Sequence, residues 1–269
     1  DEQARVGKGS PARKPGCAKC HSAQGFALSS RDWQAPNAAV FDDARSPHAC
    51  VSCHDPHAAS RPAQLRAVVG ASDYGRSTAC VACHSNPGAD WSQLAPHEGQ
   101  IADVVLGRLP ITSAPRAAPE LCVGCHMRHG DDDRSHGHSL RASDGPLCIG
   151  CPGVPPDAAS RTRAGLAEAR KNLEAAARTR GYDGPFDCEA KRALAIATLT
   201  YRLEPATDSI KPAIRTDCDD SPITMDEQDR AIWAVAYSLR ALERDQALAA
   251  HNPGYSASVA AAARALLKR

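Results

Sequence analysis

The sequence predicts a mainly α-helical protein in two parts. The first, residues 1–155, is loop-rich with short helices; the second, residues 156–269, is a C-terminal α-helical bundle of about four helices. Three observations predict this. A Cys-x-x-Cys-His pattern recurs four times in the first part, amid Pro, Gly and Ser. The composition changes near residue 158, after which Ala, Leu, Arg and Glu dominate. Segments of the second part carry apolar residues at helical spacing.

The four copies read CAKCH, CVSCH, CVACH and CVGCH. They are Cys17-Cys20-His21, Cys50-Cys53-His54, Cys80-Cys83-His84 and Cys122-Cys125-His126. Two thiols three residues apart lie on one face of a helical turn, where both can form thioethers to the vinyl groups of one haem. The next residue then brings an imidazole under the iron as proximal ligand. Zinc sites also use Cys-x-x-Cys, but zinc needs no histidine directly after every second cysteine. A thioredoxin-like redox pair does not occur four times in one chain. A disulfide framework could use twelve cysteines, yet leaves the repeated histidine unexplained.

On these motifs, residues 15 to 152 resemble the multihaem c-type cytochromes. The resemblance implies covalent haem c, four in number, with short helices packed around stacked haems. It also implies electron transfer and maturation outside the cytoplasm. The motif starts are spaced by 33, 30, 42 and then 26 residues to a fifth Cys-x-x-Cys, a loose repeat and not a solenoid period.

Composition agrees with a cofactor-filled first part. Aromatic content is 4% and the first half has few long apolar runs, so a protein-only core there would be thin. Each macrocycle would supply a large apolar surface for Leu, Val and Ala to pack against. A net charge of +1 gives no case for nucleic acid or an anionic membrane. No apolar run is long enough to span a bilayer. The chain starts at Asp1, so removal of a signal peptide is expected, and position 1 carries no lipid-accepting cysteine. The expected location is periplasmic or extracellular.

The second part opens with a helix near 160–180, with Leu166, Ala169, Leu173 and Ala177 as its apolar stripe, Ser160 as cap and Gly181 as stop. A second helix is expected from Asp187 to Pro205. A long third helix is expected from Thr224, its cap, to His251, with Ile232, Val235, Leu239 and Leu242 as its stripe. A fourth follows from Tyr255, with Val259, Ala263 and Leu266 on one side. The closing HNPGYSASVAAAARALLKR resembles the end of larger multihaem proteins of the nitrite reductase and hydroxylamine oxidoreductase group. That resemblance implies that His251 reaches a haem; the other reading is a turn histidine that caps a helix.

Eleven histidines less four proximal ones leave seven as distal-ligand candidates: His48, His57, His97, His129, His136, His138 and His251. His48 and His57 flank the second motif, and CHDPH recurs in multihaem cytochromes, where the extra histidine often ligates a neighbouring haem. His97 sits between motifs. Of His129, His136 and His138, His138 is favoured. Histidine on both sides of the iron gives lower potentials than a His/Met pair.

The fifth pair, Cys148 and Cys151 in CIGCP, is followed by Pro152, which offers no donor to iron. Reductases of the nitrite family replace this histidine by lysine, and this sequence does not. Cys148 and Cys151 hold either a fifth haem or a disulfide, and Cys188 and Cys218 are further disulfide candidates.

The leading functional expectation is an electron-transfer protein, not an enzyme. It would pass electrons through mostly bis-histidine haems between redox partners such as other cytochromes. Self-assembly into an extracellular filament is one form of this. The alternative is a reductase of a nitrogen or sulfur oxyanion with one open haem.

Overall fold

The computed structural model describes residues 15–29, 49–66, 74–85, 100–116, 120–127, 138, 140, 157–180, 226–245, 247 and 250–268. Among the described residues the secondary structure is helical apart from isolated bridges, such as that between His54 and Leu65. The chain forms two compact units. One comprises residues 1–83 and 118–142, the other residues 84–117 and 143–269.

The first unit contains α1 (Pro15–His21), α2 (Ala23–Ser29), α3 (Cys50–Cys53), α4 (Thr78–Cys83) and α6 (Leu121–His126). Each is one or two turns, too short to be stable alone, so tertiary contacts must hold it. α1 and α2 meet at Ser22, whose hydroxyl donates to the Ala18 carbonyl and accepts from the Gly25 N–H. A Cβ on Gly25 would lie 2.2 Å from the Ala18 oxygen, so only glycine permits this crossing. Ala18, Ala23 and Phe26 are buried there.

α4 is strapped to α6 by one serine. Buried Ser77 donates to the Glu120 carbonyl at 2.7 Å and accepts from the Val123 N–H at 3.1 Å. Arg76 pairs with Glu120 at 3.1 Å alongside. The strap holds Glu120 at φ 53°, a left-handed conformation uncommon for a side chain of this kind.

The second unit is built on α5 (Ile101–Leu106), α7 (Ala158–Thr179), α8 (Glu227–Arg244) and α9 (Pro253–Leu266). Its core joins Leu166, Ala169, Leu173 and Ala177 of α7 to Ile232, Val235, Leu239 and Leu242 of α8 and Val259, Ala263 and Leu266 of α9. These are the three expected stripes, and all are buried. Full burial of each Leu, Ile or Val side chain stabilises by roughly 1.5–3 kcal/mol. Arg170 of α7 pairs with Glu243 of α8, and Arg180 reaches Asp229 with its Nε 3.0 Å from Oδ1.

Four boundaries differ from expectation. α7 starts at Ala158 with Asp157 in the cap position. Ser160 lies inside the first turn and donates to the Asp157 carbonyl at 2.9 Å. Thr224 lies outside the described residues, and Asp226 caps α8. Its carboxylate accepts from the Asp229 N–H at 2.8 Å, while Asp229 accepts from the Asp226 N–H at 3.3 Å. α8 ends at Arg244 and does not run to His251, because Asp245 turns the chain and accepts from the Ala247 N–H at 2.9 Å. α9 starts at Pro253, before Tyr255, with Asn252 as cap and proline in the first turn. The helix expected over 187–205 lies outside the described residues.

Residues 84–117 pack in the second unit, although a single boundary near 155 assigns them to the first part. The reason is apolar and polar at once. Val104 and Leu109 enter the helical core. The Asn252 side-chain amide donates to the carbonyls of Val104 and Val105, at 3.1 Å each, and of Ala114 at 3.2 Å. Ser238 accepts from the Ile111 N–H at 3.1 Å. Gly107, at φ 62°, ends α5, and a Cβ there would lie 2.5 Å from the Ser113 oxygen. The division of units falls between Cys83 and His84, inside the third motif.

Candidate haem-attachment site

All four Cys-x-x-Cys-His motifs occur on or at the end of a short helix. In α1 and α6 the histidine is the last helical residue; in α3 and α4 it follows the last turn. The Cys-x-x-Cys spacing on a helix sets the two sulfurs of each motif about one turn apart, as two thioethers to one macrocycle require. Cys20, Cys50, Cys53, Cys80, Cys83, Cys122 and Cys125 are thiols and not disulfide-bonded.

Two of the proximal histidines show how the ring is oriented. His54 Nδ1 lies 2.7 Å from the Ala63 carbonyl, and His126 Nδ1 lies 3.1 Å from the Leu140 carbonyl. A carbonyl only accepts, so Nδ1 carries the proton in both rings. The Nε2 lone pair is then the metal-binding one, the tautomer that a second-shell carbonyl normally selects in a ligating histidine. The loop that serves His54 is held in turn by Arg66, which donates to the carbonyls of Val51 and His54 and pairs with Asp55 at 3.4 Å. These donor sets fit haem c: two thiols and an imidazole of the correct tautomer. When bound, the haem supplies an iron that changes oxidation state by one electron.

The motifs also touch one another. The thiols of Cys20 and Cys83 share a hydrogen bond, as do those of Cys80 and Cys122. The shared proton, together with burial, pushes the Cys83 and Cys80 thiols well above their ordinary range. Donation from Cys83 holds Cys20 below it, against burial. Burial, then the neighbouring Cys50, raises Cys53. A thioether sulfur has no proton to donate, so haem attachment at both partners ends these bonds.

Of the distal candidates, His138 is brought to a proximal ring: its centroid lies 6.0 Å from that of His54. His57 is exposed in the turn after the second motif, its N–H donating to Asp55 at 3.0 Å. His251 lies in the second unit, its Nδ1 2.7 Å from the buried Asp245 carboxylate, so it is oriented by a side chain that the sequence alone did not single out. His48, His97, His129 and His136 lie outside the described residues, as do Cys148, Cys151, Cys188 and Cys218. Nothing is described of the Cys17 side chain. No group of three or more His, Cys, Asp or Glu among the described residues is arranged to hold a bare metal ion. No helix among them is long and apolar enough to cross a membrane.

The Cys-x-x-Cys-His motif is the pattern that attaches haem c covalently. The comparison with known families agrees. A family described as "Doubled CXXCH motif" matches residues 44–89, which span the second and third motifs. The doubled motif points to a multihaem c-type cytochrome with an electron-transfer function. No curated protein matches the chain, and no solved structure does.

Proposed function

We propose that this chain is a tetrahaem c-type cytochrome that passes electrons between redox partner proteins, other cytochromes among them. Its four haems attach at Cys17/Cys20, Cys50/Cys53, Cys80/Cys83 and Cys122/Cys125, with His21, His54, His84 and His126 as proximal ligands. The observation that carries the reading is the orientation of His54 and His126, whose Nδ1 atoms face carbonyls and whose Nε2 atoms are the basic ones. The clustering of thiols from all four motifs in one unit supports haems close enough to exchange electrons directly: Cys53 lies near enough to act electrostatically on Cys80 and Cys83, which bond Cys122 and Cys20.

His138 is the distal ligand of the second haem in this reading, supported by its 6.0 Å approach to His54. Covalent haem c is attached outside the cytoplasm, so the protein works in the periplasm or beyond the cell. The matching histidine supply favours six-coordinate iron throughout, and hence transport over catalysis.

The test is spectroscopic. The loaded protein should show only low-spin bis-histidine haem, reduce fully and reversibly, and leave its spectrum unchanged on adding nitrite, hydroxylamine or cyanide. A high-spin haem that binds these ligands would favour the reductase reading instead.

A further inference from the structure

We infer that the second unit folds without haem and holds residues 100–116, the middle of the connection between the third and fourth motifs, as a preformed spacer. Its hydrophobic core runs from Val104 to Leu266 and contains no residue of a Cys-x-x-Cys-His motif. It therefore needs no macrocycle to complete it. α5, at the centre of the spacer, has only six residues and cannot stand alone. Its ends are satisfied from outside. The Ala102 N–H, one of the donors that a helix start leaves over, reaches the His84 carbonyl at 2.9 Å. The Val105 carbonyl, one of the acceptors that its end leaves over, takes the Arg116 N–H at 2.8 Å and the Asn252 amide at 3.1 Å. α8 adds two bonds: the Tyr237 hydroxyl donates to Gln100 Oε1 at 3.2 Å, and Ser238 accepts from the Ile111 N–H at 3.1 Å. Within the spacer, Arg108 Nε lies 2.6 Å from the buried Asp103 carboxylate, and the Ser113 N–H closes on the Gly107 carbonyl at 2.9 Å.

The entry of this connection at residue 84 and its exit at residue 116 are thus pinned about one helical turn apart on α5, roughly 5 Å along its axis. The consequence for function rests on the four-haem reading; the haem-independent folding does not. Electron transfer between haems depends on where the protein places them. An open connection of this length lets two attachment sites drift apart. A closed one returns the chain beside its point of entry, so polypeptide, and not cofactor, sets the spacing of the third and fourth haems. Tyr237, Ser238 and Asn252 are then positioning residues for an electron-transfer step, although none of them belongs to a motif.

The first measurement is amide hydrogen exchange on the full-length chain produced without haem attachment. Residues 101–116 should be protected together with α8 and α9, at least about a hundredfold over unstructured chain. In Ser238→Ala exchange at 101–116 should quicken about fivefold, the usual worth of one lost hydrogen bond. Fast exchange at 101–116 beside a protected α8, or fast exchange throughout the unit, would overturn the inference. The second measurement reads the spacing on the haem-loaded protein. The electron paramagnetic resonance line shape of coupled low-spin haems should change in Asn252→Ala and stay as it is in Leu173→Ala, the more destabilising substitution. An unchanged spectrum in Asn252→Ala, or the same change in both variants, would overturn the positioning role. Haem counting is separate from the exchange result, so a chain that takes up no haem defeats the four-haem reading and leaves the folding of the spacer standing.

Discussion

His251 Nδ1 lies 2.7 Å from Asp245 Oδ1, and that carboxylate is only 1% exposed. Its second oxygen, Oδ2, is buried with no partner among the described residues. The histidine is therefore the principal compensation for a buried acid, and Ala247 N–H is the other. His251→Ala should cost about 1–3 kcal/mol of stability, the penalty for leaving a buried polar group short of a partner. Denaturant unfolding of the variant against the parent chain measures it. An Asp245→Asn/His251→Ala double variant should recover part of that loss, since the two effects are coupled.

Asn252 joins two segments distant in sequence. Its amide donates to three carbonyls of residues 104–114, and its oxygen caps α9 at the Tyr255 N–H, 2.9 Å away. Asn252→Ala removes the cap, typically worth about 1 kcal/mol, and also takes one donor from each of the Val104, Val105 and Ala114 carbonyls. Hydrogen exchange should quicken together in the first turn of α9 and around Val104–Val105. Quickening confined to α9 would contradict this linkage.

Leu173 and Leu267 make a contrast in the helical core. Leu173 is fully buried against α8 and α9, whereas Leu267 is 54% exposed. Leu173→Ala should destabilise by about 2–5 kcal/mol, and Leu267→Ala by no more than about 0.5 kcal/mol. Thermal unfolding of the pair checks both.

Tyr255 makes the second unit sensitive to alkali. Its ring is buried, and burial, with the Asp103 charge adding, pushes the phenol above its ordinary value. The folded state therefore holds its proton where the unfolded state has lost it. The contribution is fully present below about pH 10, the unfolded value, and is lost as pH rises from there toward the folded value. The expected slope is about 1.4 kcal/mol per pH unit for one proton. Tyr255→Phe should unfold with a correspondingly flatter pH dependence above pH 10, measured by denaturant titration at each pH.

What could be read from the sequence was what repeats locally. The motifs are contiguous five-residue patterns. The stripes of α7, α8 and α9 follow the helical period, and Ile232, Leu239 and Val259 prove fully buried. α5 escaped because six helical residues give too little periodicity to register, although the apolar run before Gly107 was a signal. Thr224 and Asp226 are both good caps, and the reciprocal bonds of Asp226 with Asp229 decide between them. Asp245 and Asn252 gave no sequence signal of their roles, because each acts on partners brought near only by the turn after α8. The approach of His138 to His54 is likewise a long-range event that spacing does not encode.

The most direct measurement is the intact mass of the mature chain after denaturation, since thioether-linked haem survives unfolding. The account predicts the polypeptide plus four haems. Two haems would confine attachment to the doubled motif of residues 44–89, five would place one on Cys148 and Cys151, and a bare polypeptide would contradict the account outright.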